Sequence, residues 1–241
     1  MLDKKNFYID GKWVSPIEPR NFKVIDPSNE EPCAEISLGG KKDVDKAVSA
    51  AKKAFETWAF SKKEERLELL EKLYVVYKKR WAEMAKLISM EMGAPMKFST
   101  EMQAATGASH IKSFKNILKD FKFEKDLGEE KNNQKLLYEP KGVCALITPW
   151  NWPINQVNLK VIPALASACT VVLKPSEVAP LSSMLLAEMI DEVKFPAGVF
   201  NLVNGDGAIT GDALTSHPDV DMISFTGSTR AGALISQNAA K

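Results

Sequence analysis

Asn151 closes the block Ile147-Thr148-Pro149-Trp150-Asn151, and Lys174-Pro175-Ser176-Glu177 begins 23 residues after it. Asn151 follows the C-terminal end of an apolar strand, the edge where open parallel sheets collect their ligands. Pro153 has its φ preset for the first turn of a helix, so Asn151 or Trp152 falls near a helix cap. Asn is a favoured capping residue, and position alone leaves ligand binding and capping equally open. Lys174 and Glu177 come directly after a second apolar strand. A Glu there can accept from ribose hydroxyls, and a Lys can donate to them or attract phosphate. Spacing alone favours the plainer reading, an exposed i,i+3 ion pair at a helix entrance. Gly227-Ser228-Thr229-Arg230-Ala231-Gly232 follows the strand Met222–Phe225 and precedes a helix. Backbone N–H groups and a Ser hydroxyl at such a start can hold a pyrophosphate, or can simply turn the chain into the helix.

Other residues offer less. Gly205-Asp206-Gly207-Ala208-Ile209-Thr210-Gly211 misses the Gly-x-Gly-x-x-Gly fingerprint by one residue before its last glycine. Cys33, Cys144 and Cys169 are widely spaced, with no Cys-x-x-Cys pair. Free cysteine is among the most buried residue types, so all three are read as structural. His110 and His217 form neither a metal pair nor a triad, and no metal site is assigned.

The elements that must position these residues change character along the chain. Phe7–Ile9, the turn Asp10-Gly11 and Lys12–Val14 spell a hairpin. A turn at Asp26–Asn29 joins Phe22–Ile25 to Cys33–Ile36. Val44, Ala47, Val48, Ala51, Phe55 and Trp58 make a helical stripe. Ser61 and Glu64 read as a capping box opening a long helix through Ile88, stopped at Gly93-Ala94-Pro95, with a third helix from about Ser99 to Leu118. Lys122 to Lys135 is charged and aperiodic, either a loop or a pair of short exposed strands. From there, apolar strands at Val143–Ile147, Thr170–Leu173, Val199–Val203 and Met222–Phe225 alternate with helices. The helices are Ile154–Ala168, Leu181–Val193, Ala208–Ser216 and Arg230–Ala240. Repeated βα units of this length predict an α/β fold, a doubly wound parallel sheet with flanking helices. Three segments follow: strands and helices over 1–121, an irregular or ribbon segment over 122–142, and βα units over 143–241.

Length and composition fit that reading. A chain of 241 residues, 45% hydrophobic and 26% charged, can bury a sizeable core. Net charge of +1, with acids and bases interleaved as in Lys52 to Arg80, points away from nucleic acid and acidic membranes. No secretory h-region opens the chain and no apolar run reaches membrane-span length. The odd cysteine count favours a reduced, cytoplasmic setting.

The Pro-Trp-Asn block, the Lys-Pro-Ser-Glu block and Phe225-Thr226-Gly227-Ser228-Thr229 together resemble the NAD(P)-dependent aldehyde dehydrogenase superfamily. The resemblance covers nearly the whole chain and implies a Rossmann-like cofactor domain. It makes Asn151 the donor to the oxyanion formed when a thiolate attacks an aldehyde. Ile147, Thr148, Pro149 and Trp150 would shape the nicotinamide end. Lys174, Ser176 and Glu177 would hold the adenine ribose, with Gly207 beside the adenine. Phe225, Thr226, Gly227, Ser228 and Gly232 would form the pyrophosphate element. Glu177 near the ribose 2′ position favours NAD, with NADP as the alternative. The implied reaction is oxidation of an aldehyde to an acid through a Cys thioester, released by a Glu-activated water. The family's Glu-Leu-Gly-Gly and nucleophilic Cys segments do not occur here. The chain therefore reads as an N-terminal portion, without the catalytic domain and inactive alone. A non-catalytic dinucleotide-binding module or partner protein is the alternative. A CoA-acylating or semialdehyde dehydrogenase is the alternative within the family. Homo-oligomers, with the 122–142 segment as pairing arm, and an aldehyde substrate complete the expectation.

Overall fold

A computed structural model describes residues 1–128 and 134–240. The strands β1 (Leu2–Lys4), β2 (Phe7–Ile9), β3 (Lys12–Val14), β4 (Asn21–Asp26) and β5 (Glu31–Ser37) come first. Helices α1 (Lys41–Trp58), α2 (Lys63–Lys79), α3 (Trp81–Met92), α4 (Met96–Phe98) and α5 (Ala104–Asp120) follow, with a π-helical turn at Ser99–Gln103. Strands β6 (Glu124–Asp126) and β7 (Lys135–Leu137) precede β8 (Val143–Ile147), α6 (Pro153–Ala166), β9 (Thr170–Lys174) and α7 (Leu181–Val193). The chain continues through β10 (Phe200–Leu202), a π-helical turn at Gly207–Gly211, α8 (Asp212–Thr215), β11 (Met222–Phe225) and α9 (Thr229–Ala239).

The main sheet has the order β11-β8-β9-β10-β2-β3. Its first four strands are parallel and the β2-β3 hairpin adds antiparallel to β10. Asp10 and Gly11 turn that hairpin at φ 53° and 71°, the positive pair that matches strand twist. All five residues of β8 and of β9 are buried, as continuous apolar runs in a two-faced sheet should be. Alternation sorts them into two cores. Val143, Ala145, Ile147 and Val172 pack with Val44, Ala47, Val48 and Ala51 of α1. Cys144, Leu146, Val171 and Leu173 pack under α6 and α7. The expected α/β, Rossmann-like layering is therefore present.

Several local expectations are corrected. The long helix from Ser61 is two helices, broken at Arg80 (φ −97°, ψ 16°). Arg80 bonds Glu83 and, from a distant helix, Glu188 at 2.6 Å, a tertiary tie invisible to a local stripe. The Ser61–Glu64 capping box is absent: Lys62 stands at the cap, and the Ser61 oxygens accept from Arg66. The third helix starts earlier and carries the π turn. The Ala208–Ser216 helix is the second π turn plus α8. Leu2–Lys4, unmarked in sequence, pairs parallel with β5 in a separate sheet ordered β1-β5-β4. Of the two readings of Lys122–Lys135, the paired strands β6 and β7 hold; residues 129–133 of the 122–142 segment lie outside the described residues.

One buried carboxylate ties α3 to the start of α7. Glu91 of α3, 1% exposed, accepts from the Leu181 and Ser182 N–H groups that open α7. Burial outweighs those donors and pushes Glu91 up to about 7. A folded-state pKa above the unfolded one gives stability that is complete below about pH 4.5 and lost as pH rises through about 7. Glu91→Gln should therefore gain stability relative to wild type between pH 5 and pH 8 in urea unfolding. Glu91→Ala, which strands both N–H groups, should cost about 1–3 kcal/mol at any pH.

Candidate functional site

β11, β8 and β9 end together. Their register sets Phe225 beside Ile147 and Ile147 beside Lys174, so three distant segments form one row at the C-terminal edge. The row continues into the loops: Thr226 N–H donates to the Ile147 carbonyl at 3.2 Å, and Thr148 N–H to the Lys174 carbonyl at 3.3 Å. A cavity of about 700 Å³ opens there, and Ile147, Lys174, Gly207, Phe225, Ser228 and Arg230 line it. Of the fourteen lining residues, Ile147, Lys174, Gly207, Phe225 and Ser228 are the sequence candidates.

Ser228 caps α9, its hydroxyl accepting from Ala231 N–H at 3.2 Å. The Thr229 and Arg230 N–H groups have no partner among the described residues. Free donors and the positive end of the helix dipole thus face an anion-sized space. Gly227 permits the turn, since a Cβ there would lie 2.4 Å from the Phe225 ring. The competing glycine segment is already satisfied. The Asp206 carboxylate accepts from Ile209 N–H at 2.7 Å and from Thr210 N–H at 3.4 Å, and pairs with Arg20 at 2.8 Å. Burial acts to raise Asp206, but Ile209 N–H and Arg20 outweigh it and hold the carboxyl below its ordinary range. A carboxylate therefore fills the place a phosphate would need. Gly207 faces the cavity with no atom within 4 Å of where a Cβ would stand.

Lys174 is not part of an exposed pair. It ends β9 and is 4% exposed, and the next helix begins only at Leu181. Its Nζ donates to the Gly205 carbonyl at 2.6 Å and the Pro175 carbonyl at 2.9 Å, with Glu177 at 3.7 Å. Two of three ammonium donors are used, which leaves one. Burial pulls Lys174 below its ordinary range, against Glu177 and Asp206. Ser176 Oγ accepts from Val178 N–H at 3.3 Å.

Asn151 is exposed in the bend between β8 and α6. It does not cap the helix: Trp152 holds the cap, and no side chain bonds there. Among the described residues its carboxamide has no hydrogen-bond partner. Trp150 is 51% exposed beside it, Pro149 is half-buried, and the buried Thr148 hydroxyl has no partner among the described residues. Thr148 to Asn151, Ser176, Glu177, Thr226, Gly227 and Gly232 lie outside the cavity lining proper.

Sequence reasoning missed Arg230, Asp212, Thr215 and Asn238, which also line the cavity. Asn238 donates to Asp212 at 2.7 Å and so ties α9 to α8. The Gly-Ser-Thr-Arg spelling was the only signal for Arg230, and nothing local marks the others.

No thiol reaches this edge. Cys144 is the second residue of β8 and Cys169 precedes β9, both at the opposite end of the strands, and both are buried. Hydrogen bonding to Cys169, helped by burial, pushes the Cys144 thiol up. Cys33 lies in the three-stranded sheet, and burial raises it too.

Known proteins share this arrangement. The aldehyde dehydrogenase family profile matches residues 13–241. A 3-succinoylsemialdehyde-pyridine dehydrogenase from a Pseudomonas species is 51% identical over all 241 residues, which cover 50% of that protein. An aldehyde dehydrogenase from Bartonella henselae superposes with a TM-score of 0.97 at 58% identity, over 100% of this chain and 50% of that one. A mutant aldehyde dehydrogenase from Pseudomonas syringae, in complex with NAD+ and octanal, superposes with a TM-score of 0.95 at 45% identity, over 98% of this chain and 48% of that one. The chain spans about half the length of the curated relatives it matches. On a match that covers most of its residues, the chain belongs to the aldehyde dehydrogenase family.

Proposed function

We propose that this chain forms the NAD-binding half of an aldehyde dehydrogenase and supplies Asn151 as an oxyanion donor. The observation that carries this is the in-register row Phe225–Ile147–Lys174 bordering a cavity of about 700 Å³. The residues fit the cofactor. The unpartnered Thr148 hydroxyl and the free N–H groups of α9 are the polar atoms a dinucleotide would satisfy. Ser228, with Gly227 and Gly232, holds the pyrophosphate at the helix start. Lys174, Ser176 and Glu177 hold the adenine ribose, and Gly207 lets the adenine approach. Ile147, Thr148, Pro149, Trp150, Phe225 and Thr226 shape the nicotinamide side. The Glu177 carboxylate repels a 2′-phosphate and so favours NAD over NADP. NAD held there would supply the acceptor for the hydride that leaves the aldehyde carbon. Asn151, exposed and unengaged, donates its amide to the carbonyl oxygen as that oxygen gains charge.

The substrate is an aldehyde, as the names of the relatives support, and hydrolytic, CoA-acylating and semialdehyde variants share this half-site. The position of the cysteines favours a second reading, a dinucleotide-binding module without catalysis of its own. Exposed Leu127, Leu136, Leu137 and Tyr138 around β6 and β7 suit pairing between copies of the protein. Three unbridged cysteines suit a reduced, cytoplasmic setting.

The chain alone should form no NADH from any aldehyde. Turnover that survives replacement of all three cysteines would sink this account. Joined in frame to the second half of the 51% identical relative, it should oxidise aldehydes. In that protein Asn151→Ala should lower kcat about 10²–10³-fold with KM little changed; an unchanged kcat removes Asn151 from the site. NAD affinity of the chain, measured by titration calorimetry, should fall about tenfold or more in Lys174→Met and in Ser228→Pro. Unchanged binding in variants with native circular dichroism removes those assignments.

A further inference from the structure

Cys144 and Cys169 meet where β8 and β9 begin, at the end of the sheet opposite the candidate cleft. The register sets Cys144 beside Val171 and Val143 beside Thr170, so Cys169 lies one step before the first pair. Side chains two residues apart along a strand share a face, and both sulfurs sit in the core under α6 and α7. They are 1% and 3% exposed and in hydrogen-bonding contact with each other. The turn that ends α6 fixes Cys169 from one side. Ala168 takes φ 63°, and Cys169 N–H bonds back to the Ala164 carbonyl at 2.9 Å, a helix-ending turn usually given to glycine. From the other side, Thr170 N–H bonds the Gly142 carbonyl at 3.2 Å. Backbone on both flanks therefore sets where this sulfur stands.

The two thiols have unlike surroundings. Ser167 Oγ lies 3.0 Å from the Ala164 carbonyl and 3.6 Å from Cys169 Sγ, so its single proton can turn to the sulfur. The backbone N–H groups of Gly142 and Lys141 also face Cys169. Cys144 Sγ has an acceptor beside it instead, the Gly142 carbonyl at 3.9 Å. The charge that acts on Cys144 is the Asp221 carboxylate, held by Val143 N–H at 2.8 Å. Donors thus gather on one sulfur and acceptors on the other. Hydrogen bonding from Cys144 pulls the Cys169 thiol below its ordinary range; burial opposes this, and Ser167, Gly142 and Lys141 add to the pull. A thiolate held beside a second, protonated thiol is the arrangement that oxidants attack and a neighbour resolves.

We propose that Cys169 and Cys144 form an oxidation site for hydroperoxides, with Cys169 as the attacking sulfur and Cys144 as the resolving thiol. Ser167 marks the way in. It is half-buried and lines an apolar cavity of about 200 Å³ between the ends of α5 and α6, with Ile117, Phe121, Phe123 and Pro163. The Cys169 thiolate attacks one peroxide oxygen: an S–O bond forms, the O–O bond breaks, and the leaving oxygen takes the proton Cys169 gave up. The Cys144 thiol then attacks the sulfenic sulfur. An S–S bond forms, the S–O bond breaks, and the departing hydroxide takes the Cys144 proton as water. The thiol pair loses two electrons, and one hydrogen peroxide is reduced to two waters. The bridge closes a loop over residues 145–168, which contains Asn151 and all of α6.

The test uses the full 241-residue chain and hydrogen peroxide. Thiols titrated after unfolding should fall from three to one, and a dithiol reductant should restore them. Lys160 separates the two cysteines in a tryptic digest, so mass spectrometry should find the Cys144 and Cys169 peptides joined, lighter by two hydrogens. The pair should be consumed about tenfold or more faster than Cys33. In Cys144→Ser the bridge should be lost and Cys169 should be trapped by dimedone as a sulfenic acid. In Cys169→Ser dimedone should label nothing at Cys144. Persistence of all three thiols in the folded chain overturns the proposal. So does earlier loss of Cys33, a bridge between two chains, or a sulfenic acid on Cys144. The peptide map of the unmutated chain decides the matter even where a variant fails to fold.

Discussion

The pairing register of β11, β8 and β9 is the constraint on which the candidate site depends. Val143, Ala145 and Ile147 face α1, while Cys144 and Leu146 face the opposite layer. A slip of one residue would exchange these sets and put each against the wrong layer. Two cores therefore fix the register, and the register brings Phe225, Ile147 and Lys174 into one row. The cavity beside them needs no dedicated scaffold. It is what remains where parallel strands stop and their loops diverge.

The same sheet polarity separates the chain's nucleophiles from its ligand edge. Asn151 follows the last residue of β8, whereas Cys144 lies near the first. Three residue steps of extended chain, at about 3.3 Å each, separate Cys144 from Ile147 in the row. Side-chain motion cannot bridge that. The cysteines therefore serve the core, where Cys144 and Cys169 pack with Leu146 and Val171.

What was legible in the sequence is what local pattern controls. Continuous apolar runs marked β8 and β9, and a clean stripe gave Leu181–Val193 to the residue. Glycine and Ser228 marked the start of α9. Features fixed by partners far along the chain were not legible. Arg80, where the helix breaks, gives its guanidinium to Glu188, 108 residues away. Glu91, on a helix that reads as amphipathic, closes the start of α7. Lys174 looked like an exposed cation because the Gly205 carbonyl that buries it comes 31 residues later. The candidate site showed the same division: Ser228 and Asn151 stand in recognisable blocks, while Asn238, which lines the cavity, bonds Asp212 26 residues away.

The α9 end of the cleft is also its least anchored part. No residue of α9 is buried, and β11 pairs with β8 alone among the described strands. Asn238 bonding to Asp212 is the main polar tie between α9 and the rest. Lys174, in contrast, is locked by two carbonyls at the centre of the sheet edge. A dinucleotide lying across the row would bridge these two regimes, with its ribose at the rigid strand end and its phosphates at the loosely held helix. A ligand that binds only the ordered arrangement stabilises it by mass action. Part of its binding free energy would then go into fixing α9, so occupancy and local order would rise together at this end of the molecule.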